Sequence, residues 1–271
     1  MTHLLIDANP DRLARASSSA DVWRTFTESD TQVAGFLGIE GLHQIANSAS
    51  ILRLYRKHGV RYATLAHECH NAYADSATPP DPLNNGLSPA GAELVHEMNR
   101  LGMAVNLTHV SHKTMRDVLI LSAAPVMFSH SSAYARCAHE RNVRDDVLRT
   151  LKANRGIVMI SFYPEYTRCD DPAAAMLEDV ADHIQYDGEL IDYEHVGLES
   201  NFDGMPQAVR GLENVSKYPD LIAELLRRGV DVEDLAGVIG ANVLGVMEEV
   251  ERVAAEMRSE LPLEGNVKPF F

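Results

Sequence analysis

The chain has 271 residues, 45% hydrophobic and 23% charged, with a formal net charge of -15 at pH 7. That length suits one large domain, since α/β barrels run to about 250 residues as a single unit. The acidity argues against nucleic acid or an anionic membrane surface as partner, because phosphate contacts need clustered Lys and Arg, and solubility is the plainer account of it.

No run of about 18 apolar residues is present to span a bilayer. The start, MTHLLIDANPDRLARASSSAD, lacks the charged n-region and long apolar stretch of a signal peptide. Residues 1–32 read as an irregular or helical lead-in with no strong strand. Six apolar, β-prone runs then follow, each ending in a residue able to bind a metal or a substrate: AGFLGIE (Glu40), VRYATLAH (His67), MAVNLTH (His109), APVMFSH (His130), GIVMISFY (Tyr163) and HVGLESN (Asn201). Helical stretches alternate with them. LHQIANSASILRLYRKHG follows the first run, and LSPAGAELVHEMNRLG opens with Ser88-Pro89, a sound helix start. SHKTMRDVLILS offers Ser111 as N-cap just beyond His109. NVRDDVLRTLKAN, AAAMLEDVADHIQ and YPDLIAELLRRG come next, and VEDLAGVIGANVLGVMEEVERVAAEM closes the series. Residues 235–271 read as a C-terminal helix and tail, with GVIGAN the candidate for a seventh strand. The amphipathic run VMEEVERVAAEMRSELP fits a barrel-packing or dimer-packing face.

Strand–helix alternation implies right-handed crossovers and a parallel sheet. The expected fold is α/β, a (β/α)8 TIM-type barrel of the metal-dependent hydrolase kind, in a single domain over residues 1–271 and incomplete, its first strand absent, because six strands and one candidate fall short of the eight that close a barrel. Such barrels keep their chemistry at the C-terminal ends of the strands. Any one histidine closing a strand is usually a satisfied core residue; three placed alike beside a glutamate point to a site. Glu40, His109 and His130 form a two-His, one-carboxylate set suited to zinc, with a position left for water. His67 is placed to donate to a developing oxyanion and Arg141 to fork onto a substrate carboxylate. His43 and His70 read as loop residues, His112 as solvent-facing, and Arg227-Arg228 as a basic pair complementing a helix dipole.

GIEGLH, LAHECHNAYADS, LTHVSHKTM, PVMFSHSSAYARCAHERNVRDD, FDGMP and SKYPDLIAELLRRG together resemble the renal (membrane) dipeptidases, over about residues 33–250. The resemblance implies a two-zinc hydrolase that cleaves dipeptides. It implies that Glu40 bridges the metals, that His109 and His130 serve one of them, that His67 contacts the substrate and that Arg141 holds its carboxylate. It also matches Cys137 and Cys169 to a disulfide pair of secreted members, leaving Cys69 without its counterpart, and it suggests a homodimer. Two features depart from the family. No His-x-Asp motif precedes Glu40, so the other metal's ligands and the strand that carries them are missing. The strand-end Asp-Phe-Asp-Gly reads Asn201-Phe202-Asp203-Gly204, which puts an amide at the acid–base position. Asparagine keeps the shape but takes up no proton.

These residues imply zinc-dependent hydrolysis of dipeptides or small peptide-like substrates by a metal-activated water, with one Zn2+ site intact, His67 and Asn201 at the catalytic positions, and His67, Arg141 and Asn201 on the substrate. The competing expectation is a catalytically impaired member that binds a peptide-like ligand or a partner chain. Loss of the Asp at position 201 favours the second; joint retention of Glu40, His67, His109, His130 and Arg141 favours the first.

Overall fold

The computed structural model describes residues 2–265. The strands are β1 (Leu13–Arg15), β2 (Val33–Gly35), β3 (Leu37–Glu40), β4 (Val60–Thr64), β5 (Ala104–Asn106), β6 (Val126–Ser131), β7 (Ile157–Ser161) and β8 (Val196–Glu199). The helices are α1 (Thr2–Ala8), α2 (Ser19–Glu28), α3 (Ala49–Lys57), α4 (Pro89–Leu101), α5 (His112–Leu121), α6 (Asp145–Asn154), α7 (Pro164–Thr167), α8 (Leu177–Ile191), α9 (Tyr218–Arg227), α10 (Val232–Ala236) and α11 (Asn242–Glu256).

Strands β3 to β8 form a six-stranded parallel sheet in chain order, as short βα crossovers dictate. All six apolar runs of the sequence lie in it. β2 and β3 are consecutive segments interrupted at Phe36, and β2 pairs in parallel with β1. The result is an α/β arc of the barrel type. β3 and β8 are its edges among the described residues.

Strands β4 to β7 are buried on both faces, which is why their runs read as nearly continuous apolar sequence. Ala63, Val105, Phe128, Val158 and Ile160 face one core, shared with α3 to α6, α8 and α9. Their neighbours Ala104, Met127, Ile157 and Met159 face the other way, onto Val246, Met247, Val250 and Val253 of α11. This is the period-two alternation of a pleated strand. Each such aliphatic side chain stabilises the fold by about 1.5–3 kcal/mol on full burial, so α11 is a wall of the arc. The helix starts are as the sequence dictates: Ser88 accepts from the Gly91 N–H and Ser111 from the Thr114 N–H. Gly102 ends α4 at φ 67°, the left-handed conformation glycine adopts without penalty.

The lead-in holds α1, α2 and one short strand, Leu13–Arg15, which pairs with Val33–Gly35; three residues are too few for alternation to show. Two expectations need correction. GVIGAN is no strand: residues 237–241 form a π-helical turn joining α10 to α11. Short apolar runs carry no periodicity of their own, and here the flanking helical pattern decides. His112 does not face solvent; it is 8% exposed, its ring 5.8 Å from that of Tyr134. Arg227 and Arg228 both pair with Glu224, and Arg228 also reaches Asp182, joining α9 to α8. No helix among the described residues is long and apolar enough to cross a membrane.

Candidate metal centre and binding site

The strand ends bring Glu40, His109 and His130 to one point. His109 Nε2 lies 3.0 Å from Glu40 Oε1, and His130 Nε2 lies 3.3 Å from the same oxygen. The two Nε2 atoms are 3.0 Å apart. Ligands placed tetrahedrally at about 2.0–2.1 Å from a zinc ion stand about 3.3 Å from one another, so these three donors fit one ion. His67 offers a looser alternative: with Glu40 and His109 it also forms a possible ligand group within 4.8 Å, but its Nε2 is 3.8 Å from Glu40 Oε2. The tighter triangle is the one with His130.

A network behind the triangle fixes His130. The Ser129 hydroxyl has two acceptor lone pairs and one proton. Asn106 Nδ2 donates to it at 2.7 Å, and the hydroxyl points its proton at Thr108 Oγ1, 3.4 Å away. The same hydroxyl lies 2.9 Å from His130 Nδ1 and so orients the ring with Nε2 toward Glu40. Asn106 is fully buried and also donates to Thr64 Oγ1 on the neighbouring strand at 2.7 Å.

His109 sits at φ 71°, unusual for a residue with a side chain. Its carbonyl accepts from the Ala77 N–H at 2.8 Å and from Ser76 Oγ at 3.3 Å, so the loop after β4 holds it there. Buried Asp75 secures that loop by accepting from the N–H groups of Leu83, Asn84 and Gly86. Burial drives the His109 pKa down to about 4, against the pull of Glu40, so the ring is neutral at pH 7. Hydrogen bonds from His109 and His130 hold the Glu40 carboxyl well below the ordinary carboxylate range. A neutral His109 imidazole beside a charged carboxylate is the ligand state a divalent cation requires.

Arg141 lies in the loop between β6 and α6 and is 4% exposed. Its Nη1 donates to Tyr166 Oη at 3.1 Å, and its guanidinium carbon lies 4.9 Å from the Tyr166 ring centre. Nε and Nη2 are buried without a partner. A buried guanidinium with a free donor edge is prepared for a carboxylate. Glu68 joins the two regions: its Oε1 is 3.7 Å from Arg141 Nη1 and 3.1 Å from His109 Nδ1, the latter without hydrogen-bond alignment. Burial opposes the charge on Glu68, but the Thr78 hydroxyl, His109 and Arg141 together hold its carboxyl below the usual range.

Asn201 follows β8 at φ 57°, with Asp203 at φ 64°. Its Oδ1 lies 2.7 Å from where a Cβ on Gly204 would stand, and its carbonyl accepts from the Gly204 N–H. Among the described residues its side chain makes no hydrogen bond to Glu40 or the three histidines. Cys137 and Cys169 are joined as a disulfide with Cα atoms 5.3 Å apart, tying the Arg141 loop to the segment that carries Tyr166. Cys69 is a free, exposed thiol. Sequence reasoning missed Glu68, Tyr166 and Glu199. Glu68 adjoins His67 and Glu199 lies two residues before Asn201, but nothing in their spacing signals which way they face.

The sequence pattern that defines the membrane dipeptidases, peptidase family M19, matches residues 1–261. The chain belongs to the membrane dipeptidase family. "Dipeptidase aclJ" of Aspergillus oryzae is 60% identical over 271 residues, covering 100% of this chain and 64% of that protein. "Dipeptidase tcpJ" of Claviceps purpurea is 50% identical, covering 96% of this chain and 60% of that protein. The chain thus spans about three-fifths of the length of these curated relatives. Among solved structures, a metallo peptidase from Rhodobacter sphaeroides liganded with a phosphinate mimic of the dipeptide L-Ala-D-Ala superposes with a TM-score of 0.83 at 28% identity, covering 92% of this chain and 72% of that one. A probable dipeptidase, PvdM, from Pseudomonas aeruginosa reaches a TM-score of 0.87 at 24% identity, covering 93% and 77%, and so shares the fold. Membrane dipeptidases are metal-dependent, and a possible metal-ligand group, Glu40, His67 and His109, lies at the strand ends of this chain.

Proposed function

We propose that this membrane dipeptidase hydrolyses dipeptides or small peptide-like substrates at a single zinc site held by Glu40, His109 and His130. The observation that carries the proposal is the donor triangle with edges of 3.0, 3.0 and 3.3 Å, backed by a network that orients the His130 ring. A bound zinc supplies Lewis-acid polarisation of the scissile carbonyl and a water acidic enough to attack near neutral pH. His67 stands at the rim and donates to the oxygen that gains charge. Arg141, backed by Tyr166, takes the C-terminal carboxylate on its free edge. Asn201 places an amide just beyond β8, with its Oδ1 against Gly204, and reaches the substrate through its Nδ2 edge.

The second reading, a binder without turnover, draws on Asn201, which has no group to take the proton from the attacking water. One assay separates the two. The zinc-loaded protein is incubated with a panel of free dipeptides, and the released amino acids are quantified. Hydrolysis that chelation abolishes and zinc restores, and that C-terminal amidation of the substrate suppresses, supports the dipeptidase. Binding of dipeptides with one zinc present but no turnover supports the binder.

A further inference from the structure

Glu199, the last residue of β8, is a carboxylate for which the proposed chemistry has no use. Its Oε2 is buried and has no hydrogen-bond partner among the described residues. It lines a cavity of about 330 Å3 together with His130, Ser129, Tyr62, Phe36 and Met159. The cavity therefore opens from the metal site itself, through His130. Leaving a buried carboxylate oxygen unpaired is costly, so a cationic partner from outside the chain is strongly favoured there.

The walls select which cation. The Ser129 hydroxyl is committed to Asn106, His130 and Thr108. Apart from His130, which the triangle engages, the other polar side chain of the lining is the phenol of Tyr62, whose ring meets Phe36 edge-on at 6.3 Å. A metal ion needs three or more protein donors, and Glu199 with one phenol falls short. An organic ammonium is satisfied by one carboxylate beside aromatic faces. At Arg141, which neighbours Glu68 and Tyr166, the free groups carry the opposite charge.

We infer that Glu199 is the subsite for the free α-ammonium group of the substrate, so that a zwitterionic dipeptide lies with its amino end at Glu199, its scissile carbonyl at the triangle and its carboxylate at Arg141. This rests on the dipeptide reading of the site and adds to it a requirement for an unblocked N-terminus. Glu199 is a specificity residue here and takes no part in bond cleavage.

The test is calorimetric binding of a free dipeptide and of its N-acetyl derivative to the zinc-loaded protein and to Glu199→Gln, with zinc content and thermal midpoint measured on both. A charge-assisted hydrogen bond of this kind corresponds to about tenfold or more in affinity. The wild type is expected to bind the free dipeptide about tenfold more tightly than the acetylated one, and Glu199→Gln to bind both alike with unchanged zinc. Equal affinities in the wild type overturn the inference and leave the dipeptide reading standing. Persistent discrimination by a folded Glu199→Gln overturns it too, as does a loss of zinc, which would make Glu199 a ligand. A wild type that binds neither form sinks the dipeptide reading and the inference with it.

Discussion

The ends of β5 and β6 and the end of β8 belong to the same mouth, yet they are built to different standards. At β5 and β6 the polar atoms of Asn106, Thr108, Ser129 and His130 answer one another across strands, and three donor atoms converge within 3.3 Å. At β8, Glu199 keeps an unpartnered oxygen, and Asn201 and Asp203 both sit in the left-handed region with Asn201 turned against Gly204. A satisfied network fixes geometry because every alternative leaves a buried group unpaired. One half of the mouth is thus fixed in geometry, as the proposed metal site requires, and the other keeps groups that its own chain leaves unpaired.

The largest effect should come from breaking the fixed half. His109→Ala with His130→Ala removes two of three ligands, and zinc is expected to fall to background by elemental analysis with hydrolysis lost. Next comes the anchor. Arg141→Lys keeps the charge but not the planar fork, so KM for free dipeptides should rise roughly tenfold to a hundredfold with a smaller change in kcat. In the other half, Asn201→Asp restores a titratable group, yet that side chain faces Gly204. A gain in kcat below about tenfold is expected, against the roughly 100-fold or more that a true general base supplies. A larger gain would erase the contrast between the two halves.

The smallest effect concerns a second unpartnered carboxylate, outside the candidate site. Asp187 of α8 is fully buried with both oxygens unpaired, and burial first, then Asp145, pushes its pKa well up. A folded pKa above the unfolded value near 3.8 means that the penalty is absent below pH 3.8 and grows as pH rises toward the folded pKa. Asp187→Asn should therefore stabilise the protein by about 1 kcal/mol or more at pH 8 and by almost nothing at pH 3.5, read as the shift in thermal midpoint. Dipeptide binding should not change, in contrast to Glu199→Gln.

The sequence displayed the fixed half well, because each ligand closes an apolar run and strand ends are where such folds gather side chains. Glu40, His67, His109 and His130 were legible for that reason. Tyr166 and Glu68 were not, since their contact with Arg141 depends on how two loops fold back. His112 was misjudged because the face a helix buries is set by a partner, here Tyr134, that local sequence does not reveal. β1 was too short to carry a pattern, and GVIGAN too apolar to tell helix from strand.

The central claim is one metal site, complete, in one half of the mouth. Zinc per chain in the purified protein, measured by elemental analysis after equilibration with excess zinc and removal of the free ion, tests it most directly. The account predicts about one zinc per chain. Two zinc ions per chain, or none in a folded sample, would contradict it.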